Sequence, residues 1–251
     1  MAQPRVYQTE AIIIKRINLG EADRILTLYT PEHGKVKAVA KGSRRPRSKL
    51  GGHVELLTYS QLLLAHGRNL DIVTQAQTID SFLPLKENLK RMSCGLYISE
   101  LVDAFSEEHA ENGKLFRLLL ETLHQLSQLE KNDIALRYFE LQLLNFTGYR
   151  PQLQRCANCN SPLQPMTNYF SSSQGGVLCN DCGFQEPMAR DLSVNALKVL
   201  RLWQDCDFGT ANRIHINAGL AFELEQVLRE YIKYLLERQV KSTLWLDRLK
   251  K

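Results

Sequence analysis

The first 80 residues contain no tryptophan and no phenylalanine; apart from histidines, their only rings are Tyr7, Tyr29 and Tyr59. Extensive base-stacking platforms are therefore excluded from that region, where each stacked base would contribute about 1–3 kcal/mol. Acidic residues are missing from His33 to Val54, so the basic loop within that stretch has no carboxylate close in sequence. No segment approaches the roughly 18 apolar residues of a membrane span. The amino end lacks a basic start followed by a long apolar run, and Ala11–Ile14 is far too short to serve as one. Neither an anchor nor a signal peptide is expected, and the expected compartment is a reducing cytoplasm. The pattern G-x-x-x-x-G-K-[ST] does not occur, so no nucleotide cofactor is expected. Repeats and low-complexity tracts are also missing.

What is present suits a globular chain: 251 residues, 44% hydrophobic and 24% charged. The formal charge of +5 is unevenly placed. Residues 1–80 hold 12 Lys and Arg against 7 Asp and Glu, and the remainder is balanced at 20 of each. A basic module followed by a neutral one is the direct reading.

Hydrophobic periodicity divides the chain in the same way. Val6–Ile17, Arg24–Thr30, Lys35–Lys41, Val54–Ala65 and Leu70–Ile79 read as five short strands separated by turns. An OB-fold is the economical five-stranded barrel. After Pro84 the period becomes helical, with segments starting near Leu85, Gly113, Asp133, Val194 and Gly219, the last running to Gln239. A polar insertion rich in proline, serine and glycine covers about 151–187. The expected fold class is multidomain α+β: an OB-fold β-barrel over 1–80, then an α-helical domain over 81–251 carrying a four-cysteine zinc ribbon.

The stretch AKGSRRPRSKLGG concentrates Lys41, Arg44, Arg45, Arg47 and Lys49 in nine positions. An isolated charge run is commonly a solvated loop. Here arginine outnumbers lysine, and the planar guanidinium suits bidentate phosphate contact. Lys35, Lys37 and Lys41 alternate along the preceding strand and would extend the loop into a positive track. A nucleic-acid backbone is the polyanion this pattern fits, with binding dominated by phosphate charge.

Cys156-Ala-Asn-Cys159 and Cys179-Asn-Asp-Cys182 are two C-x-x-C pairs separated by 19 residues. That spacing predicts a four-thiolate zinc site with no open position for water, hence a structural site with one ion per chain. Asn160 and Gly183 follow the pairs and would permit tight knuckles. Two H-x-E triplets, His53-Val54-Glu55 and His109-Ala110-Glu111, raise the zinc deaminase signature. No proline precedes either cysteine pair, so both histidines are read as surface residues. Cys94 and Cys206 are read as buried small hydrophobes.

A nuclease or nucleotidyl transferase would need clustered carboxylates for Mg²⁺, whereas Asp71, Asp80, Asp103 and Asp133 are scattered along the chain. His33, His53 and His66 lie in or beside turns and read as surface residues. No enzymatic activity is expected. An adaptor or RNA-binding module remains a further class, since OB barrels and zinc ribbons serve both.

The segments TEAIIIKRINLGEADRILTLYTPEHGKVKAVAKGSRRPRSKLGG and FELQLLNFTGYRPQLQRCANC resemble the RecO family of recombination mediators, over nearly the whole chain. The resemblance implies an OB-fold, a helical domain and a zinc ribbon. It further implies binding to single- and double-stranded DNA, annealing of complementary strands, and work with RecR to load RecA onto DNA coated by single-strand-binding protein. The acidic tail of that protein is an implied partner, and a bacterial nucleoid the implied location. By resemblance, Arg24, Lys35, Lys37, Lys41, Arg44, Arg45, Arg47 and Lys49 fall in the DNA-contacting region. Arg24 has a second reading, a salt bridge to Glu21 or Asp23.

Overall fold

The computed structural model describes residues 5–129 and 133–237. They form two compact units that part between residues 130 and 131. The end of the expected helical domain, 238–251, lies outside the described residues, as do the last two positions of its final helix.

The first unit is built on five strands: β1 (Val6–Leu19), β2 (Asp23–Thr30), β3 (Gly34–Ala40), β4 (Tyr59–Ala65) and β5 (Asp71–Asp80). They close into a barrel in the order β1-β2-β3-β5-β4, which is the OB arrangement expected from the sequence. Strand β1 is long enough to serve both neighbours. Its first half pairs with β4, from Val6↔Ala65 to Ile12↔Tyr59. Its second half pairs with β2, and an irregularity between Ile13 and Lys15 bends it between the two. Strands β3 and β5 meet in parallel through Ala38↔Asp71 and Val39↔Ile72. Ala11, Ile13, Leu26, Leu28, Val36, Ala38, Ala40, Val54, Leu62, Leu64 and Val73 fill the interior. The period-two set Val36, Ala38 and Ala40 therefore faces inward, as the sequence pattern requires.

One strand differs from expectation. Val54–Ala65 does not run as a single strand: Gly51–Val54 is a 3-10 turn and β4 begins at Tyr59. The break sits at Leu57, whose φ is +54°, and its N–H donates to Ile13 O while Ile13 N donates to Thr58 O. An apolar run identifies burial, and burial here is shared between a turn and a strand.

The period change near residue 80 marks the end of the barrel strands, but the compact unit continues to residue 130. Helices α1 (Leu83–Lys86), α2 (Leu89–Phe105) and α3 (Gly113–Gln128) belong to it. Asn88 caps α2 by accepting from Arg91 N, and Asn112 caps α3 by accepting from Leu115 N. The connection between them lies along β3, with His109 N donating to Lys35 O at 3.0 Å. Gly34 is required there: its φ is +60°, and a Cβ would lie 1.9 Å from Ala110 O.

The second unit surrounds a helical core. Helices α4 (Asp133–Phe146), α6 (Val194–Asp205), α7 (Phe208–Ala211) and α8 (Ala218–Leu236) bury Phe139, Leu143, Leu200, Trp203, Leu224, Val227 and Leu228. Gln142 Nε2 donates to Trp203 O at 2.6 Å, and Tyr138 Oη donates to Cys206 O at 2.8 Å. Between α4 and α6 in sequence lie β6 (Asn168–Ser171), β7 (Gly176–Leu178), the single turn α5 (Asn180–Gly183) and β8 (Arg190–Leu192), the strands ordered β7-β6-β8. Among the described residues, no helix is long and apolar enough to cross a membrane.

Candidate nucleic-acid interface and metal centre

The connection from β3 to β4 carries Lys41, Arg44, Arg45, Arg47 and Lys49, all exposed. Its shape is set by backbone bonds: Arg44 N donates to Ala22 O, Arg45 N to Gly42 O, and Ser48 N to Arg45 O. The side chain of Arg44 donates to Gly20 O at 2.9 Å, fastening the loop to the β1–β2 turn. Asp23 accepts from Gly42 N at 2.7 Å. Among the described residues, no ion pair joins any of these five cations to a carboxylate.

The other three cations expected in the interface are placed differently. Lys35 is buried; its Nζ donates to Asp103 O at 2.6 Å and faces Asp103 Oδ1 at 3.3 Å. Lys37 pairs with Glu108. Arg24 pairs neither with Glu21 nor with Asp23; its Nη1 lies 2.8 Å from Glu55 Oε1. Arg16, not singled out from the sequence, pairs with the other oxygen of Glu55. Burial works against ionisation of Glu55, but the two guanidinium groups outweigh it and hold its carboxyl below the usual range. Sequence spacing alone could not reveal these partners, because α2 and its following loop supply the acids for β3.

The histidines are less bland than expected. His53 Nδ1 lies 2.8 Å from Thr78 Oγ1 and accepts from Thr78 N. His66 stacks on Tyr7 and His33 meets the edge of the same ring, each at 4.7 Å. His109 is exposed, as expected. Tyr7 Oη donates to Asp71. Cys94 is buried, whereas Cys206 is half-buried at the end of α6.

In the second unit, Cys156, Cys159, Cys179 and Cys182 converge, with all four Sγ atoms within 4.8 Å of one another. Two turns bring them together. Asn160 N donates to Cys156 O and Gly183 N to Cys179 O, each closing one C-x-x-C pair. Asn160 adopts φ +60°, the left-handed conformation its type tolerates. Gly183 does not have a positive φ; a Cβ there would meet Tyr169 Cδ2 at 2.1 Å. Cys159 and Cys179 Sγ are 3.7 Å apart. A zinc tetrahedron with bonds of about 2.3 Å has edges of about 3.8 Å, whereas a disulfide needs about 2.05 Å.

The surroundings favour thiolate at Cys159 and Cys156. At Cys179 and Cys182 the hydrogen bonds from the Cys182 backbone and from Asn158 are outweighed by burial and the neighbouring sulfurs, which hold both thiols above the usual range. Hydrogen bonds from Ser161, through its hydroxyl and its backbone, bring the Cys159 thiol down to about 6. Burial opposes ionisation of Cys156, and backbone N–H groups of Cys159, Cys179 and Asn158 outweigh it. Four thiolates in so small a volume repel one another and need a cation among them. The donor set thus fits Zn²⁺, with all four positions filled by sulfur. Among the described residues, no other group of three His, Cys, Asp or Glu side chains converges in this way.

These features define an OB-barrel protein with a separate helical unit that carries a four-cysteine knuckle. Family models name it further. The model for Recombination protein O N terminal matches residues 1–82, and that for Recombination protein O C terminal matches 86–244. The chain belongs to the RecO family, and its role lies in recombinational DNA repair. A DNA repair protein RecO of Dehalococcoides mccartyi is 43% identical over 249 residues, spanning 99% of this chain and 98% of that relative. One from a Roseiflexus species is 44% identical over 243 residues, 97% of this chain and 86% of the relative. One from Desulforamulus reducens is 34% identical over 247 residues, 98% and 96% of the two.

Proposed function

We propose that the chain is a recombination mediator that binds single- and double-stranded DNA through its basic loop and anneals complementary strands. Two strands repel because each carries a phosphate charge at every nucleotide; a cationic surface that neutralises both lets bases meet and pair. The reading is carried by one observation: Lys41, Arg44, Arg45, Arg47 and Lys49 are exposed together, while Lys35, Lys37 and Arg24 have carboxylate partners. Those three can add to the interface only by exchanging a carboxylate for a phosphate. Residues 1–80 supply the DNA-binding module in this reading, and 81–251 the helical domain with its insertion at about 151–187.

The mediator acts with RecR to load RecA onto DNA coated by single-strand-binding protein, whose tail docks on the helical domain. One Zn²⁺ per chain, held by Cys156, Cys159, Cys179 and Cys182, fixes the knuckle and takes no part in a reaction. The mechanism involves no bond-making step and no nucleotide, and it takes place in the cytoplasm at the nucleoid. The test is annealing of complementary oligonucleotides, naked and coated with single-strand-binding protein, by the wild type and by the Arg44→Ala, Arg45→Ala, Arg47→Ala variant. Annealing should fail in the variant while its fold persists. Unchanged annealing by a folded variant would remove the assignment.

A further inference from the structure

Glu55 is the first acidic residue after the basic stretch, and it turns back toward the foot of that loop. Its two oxygens are held by two different guanidinium groups, Oε1 by Arg24 at 2.8 Å and Oε2 by Arg16. Arg24 lies opposite Ala40 in the β2–β3 register, one residue before Lys41. Lys86 is close enough for its charge to interact with both Glu55 and Arg16, and its Nζ donates to Thr58 Oγ1. Two guanidinium groups therefore hold one carboxylate, and the charge of Lys86 adds to theirs at longer range. Asp80 acts on Lys86 through its charge alone; its oxygens accept from Phe82 N and lie near His124. Arg24 Nε is buried without a hydrogen-bond partner. The cluster is under-neutralised, and a carboxylate bridging two guanidinium groups has the geometry of a phosphodiester's two free oxygens.

We propose that Arg16 and Arg24 form a phosphodiester subsite at the foot of the basic loop, and that Glu55 is its intramolecular occupant, displaced when a nucleic-acid strand binds. The inference rests on the DNA-binding reading and adds a residue that opposes it. Glu55 raises the threshold for binding: a strand must replace it, so weak or short-lived encounters on the loop do not reach the subsite. Its own exposure of 40% leaves it room to swing away.

The test is fluorescence anisotropy of a labelled oligothymidylate over a series of NaCl concentrations, with circular dichroism to verify folding. Glu55→Gln should bind several-fold more tightly than the wild type. Its log–log salt slope should be steeper by about 0.7 for each additional phosphate engaged. Adding Arg16→Ala to Glu55→Gln should abolish the gain. Glu21→Gln neutralises an exposed acid on the adjacent turn, and any gain it gives should survive Arg16→Ala. Arg16→Ala alone, at an exposed position, should weaken binding and flatten the slope, which keeps the test decisive if Glu55→Gln folds poorly. Wild-type binding that depends on the loop arginines, with Glu55→Gln unchanged or with a gain indifferent to Arg16, overturns the inference alone. Absence of wild-type binding, or binding indifferent to the loop arginines, overturns the DNA-binding reading beneath it.

Discussion

The ring of Tyr169 occupies the space that a side chain at position 183 would need, with Cδ2 2.1 Å from where a Cβ would be. Tyr169 lies on β6 and Gly183 ends the turn that presents Cys179 and Cys182. The second knuckle is thereby set against the sheet, and sheet and cysteine quartet form one structural piece. Gly183→Ala should force these apart. The expected loss is about 1–3 kcal/mol, the usual range for overpacking, read as a lowered Tm together with faster loss of zinc to a chromogenic chelator.

Replacing Cys156 and Cys179 together by serine removes one ligand from each pair. Metal content should fall from one zinc per chain to none, with a lower Tm and reduced solubility, because metal-binding energy is folding energy at such a site. Elemental analysis and calorimetry measure the two effects. A double variant as stable as its parent would refute the structural role.

Salt dependence follows from the loop. If its five cations each neutralise one phosphate on a single strand, log K should fall against log salt with a slope of about −3.5. Removing Arg44, Arg45 and Arg47 should reduce the slope to about −1.4 and weaken binding similarly for all sequences. An affinity that barely moves across the salt series would eliminate phosphate neutralisation as the mechanism.

Asp103 lies 3.0 Å from Lys15 and 3.3 Å from Lys35. Burial works against its ionisation, but the hydrogen bond from Lys15 and the charges of both lysines outweigh it, so its carboxyl titrates below the usual range. A carboxylate depressed in the folded state adds stability above its unfolded pKa of about 3.9, and that stability is lost as pH falls through the lower folded value. Asp103→Asn should cost about 1–3 kcal/mol at neutral pH, because the buried ammonium of Lys35 loses its counter-charge. The variant's Tm should also decline less steeply below about pH 4 than that of the wild type, as thermal melts across pH would show.

How far the sequence could be read depended on the range of each interaction. Four of the five strands lie within a residue or two of where β-branched runs and turn residues place them, because period and punctuation are local. The cysteine quartet was legible for the same reason: its geometry is carried by two four-residue turns. The start of β4 was not, since Leu57 is apolar and buried yet φ-positive. The charge pattern was misleading in one respect. Lys37 looks unpaired along the chain, Lys35 belongs to the same alternating set and Arg24 has Glu21 and Asp23 beside it, yet the partners they take, Glu108, Asp103 and Glu55, are brought to them only by folding. An alternating lysine strand therefore signals a surface, while tertiary packing decides how much of its charge remains free.

The barrel is closed between β3 and β5 by two parallel partners, whereas its antiparallel seams run for seven. Such a joint is the thinnest weld in the ring, and local opening starts where the fewest bonds must break together. Ala40, beside that joint, leads directly into Lys41. The thinnest joint thus lies beside the most cationic segment, whose own anchors run to the β1–β2 turn and not across the joint, so parting β3 from β5 would break none of the bonds that shape the loop.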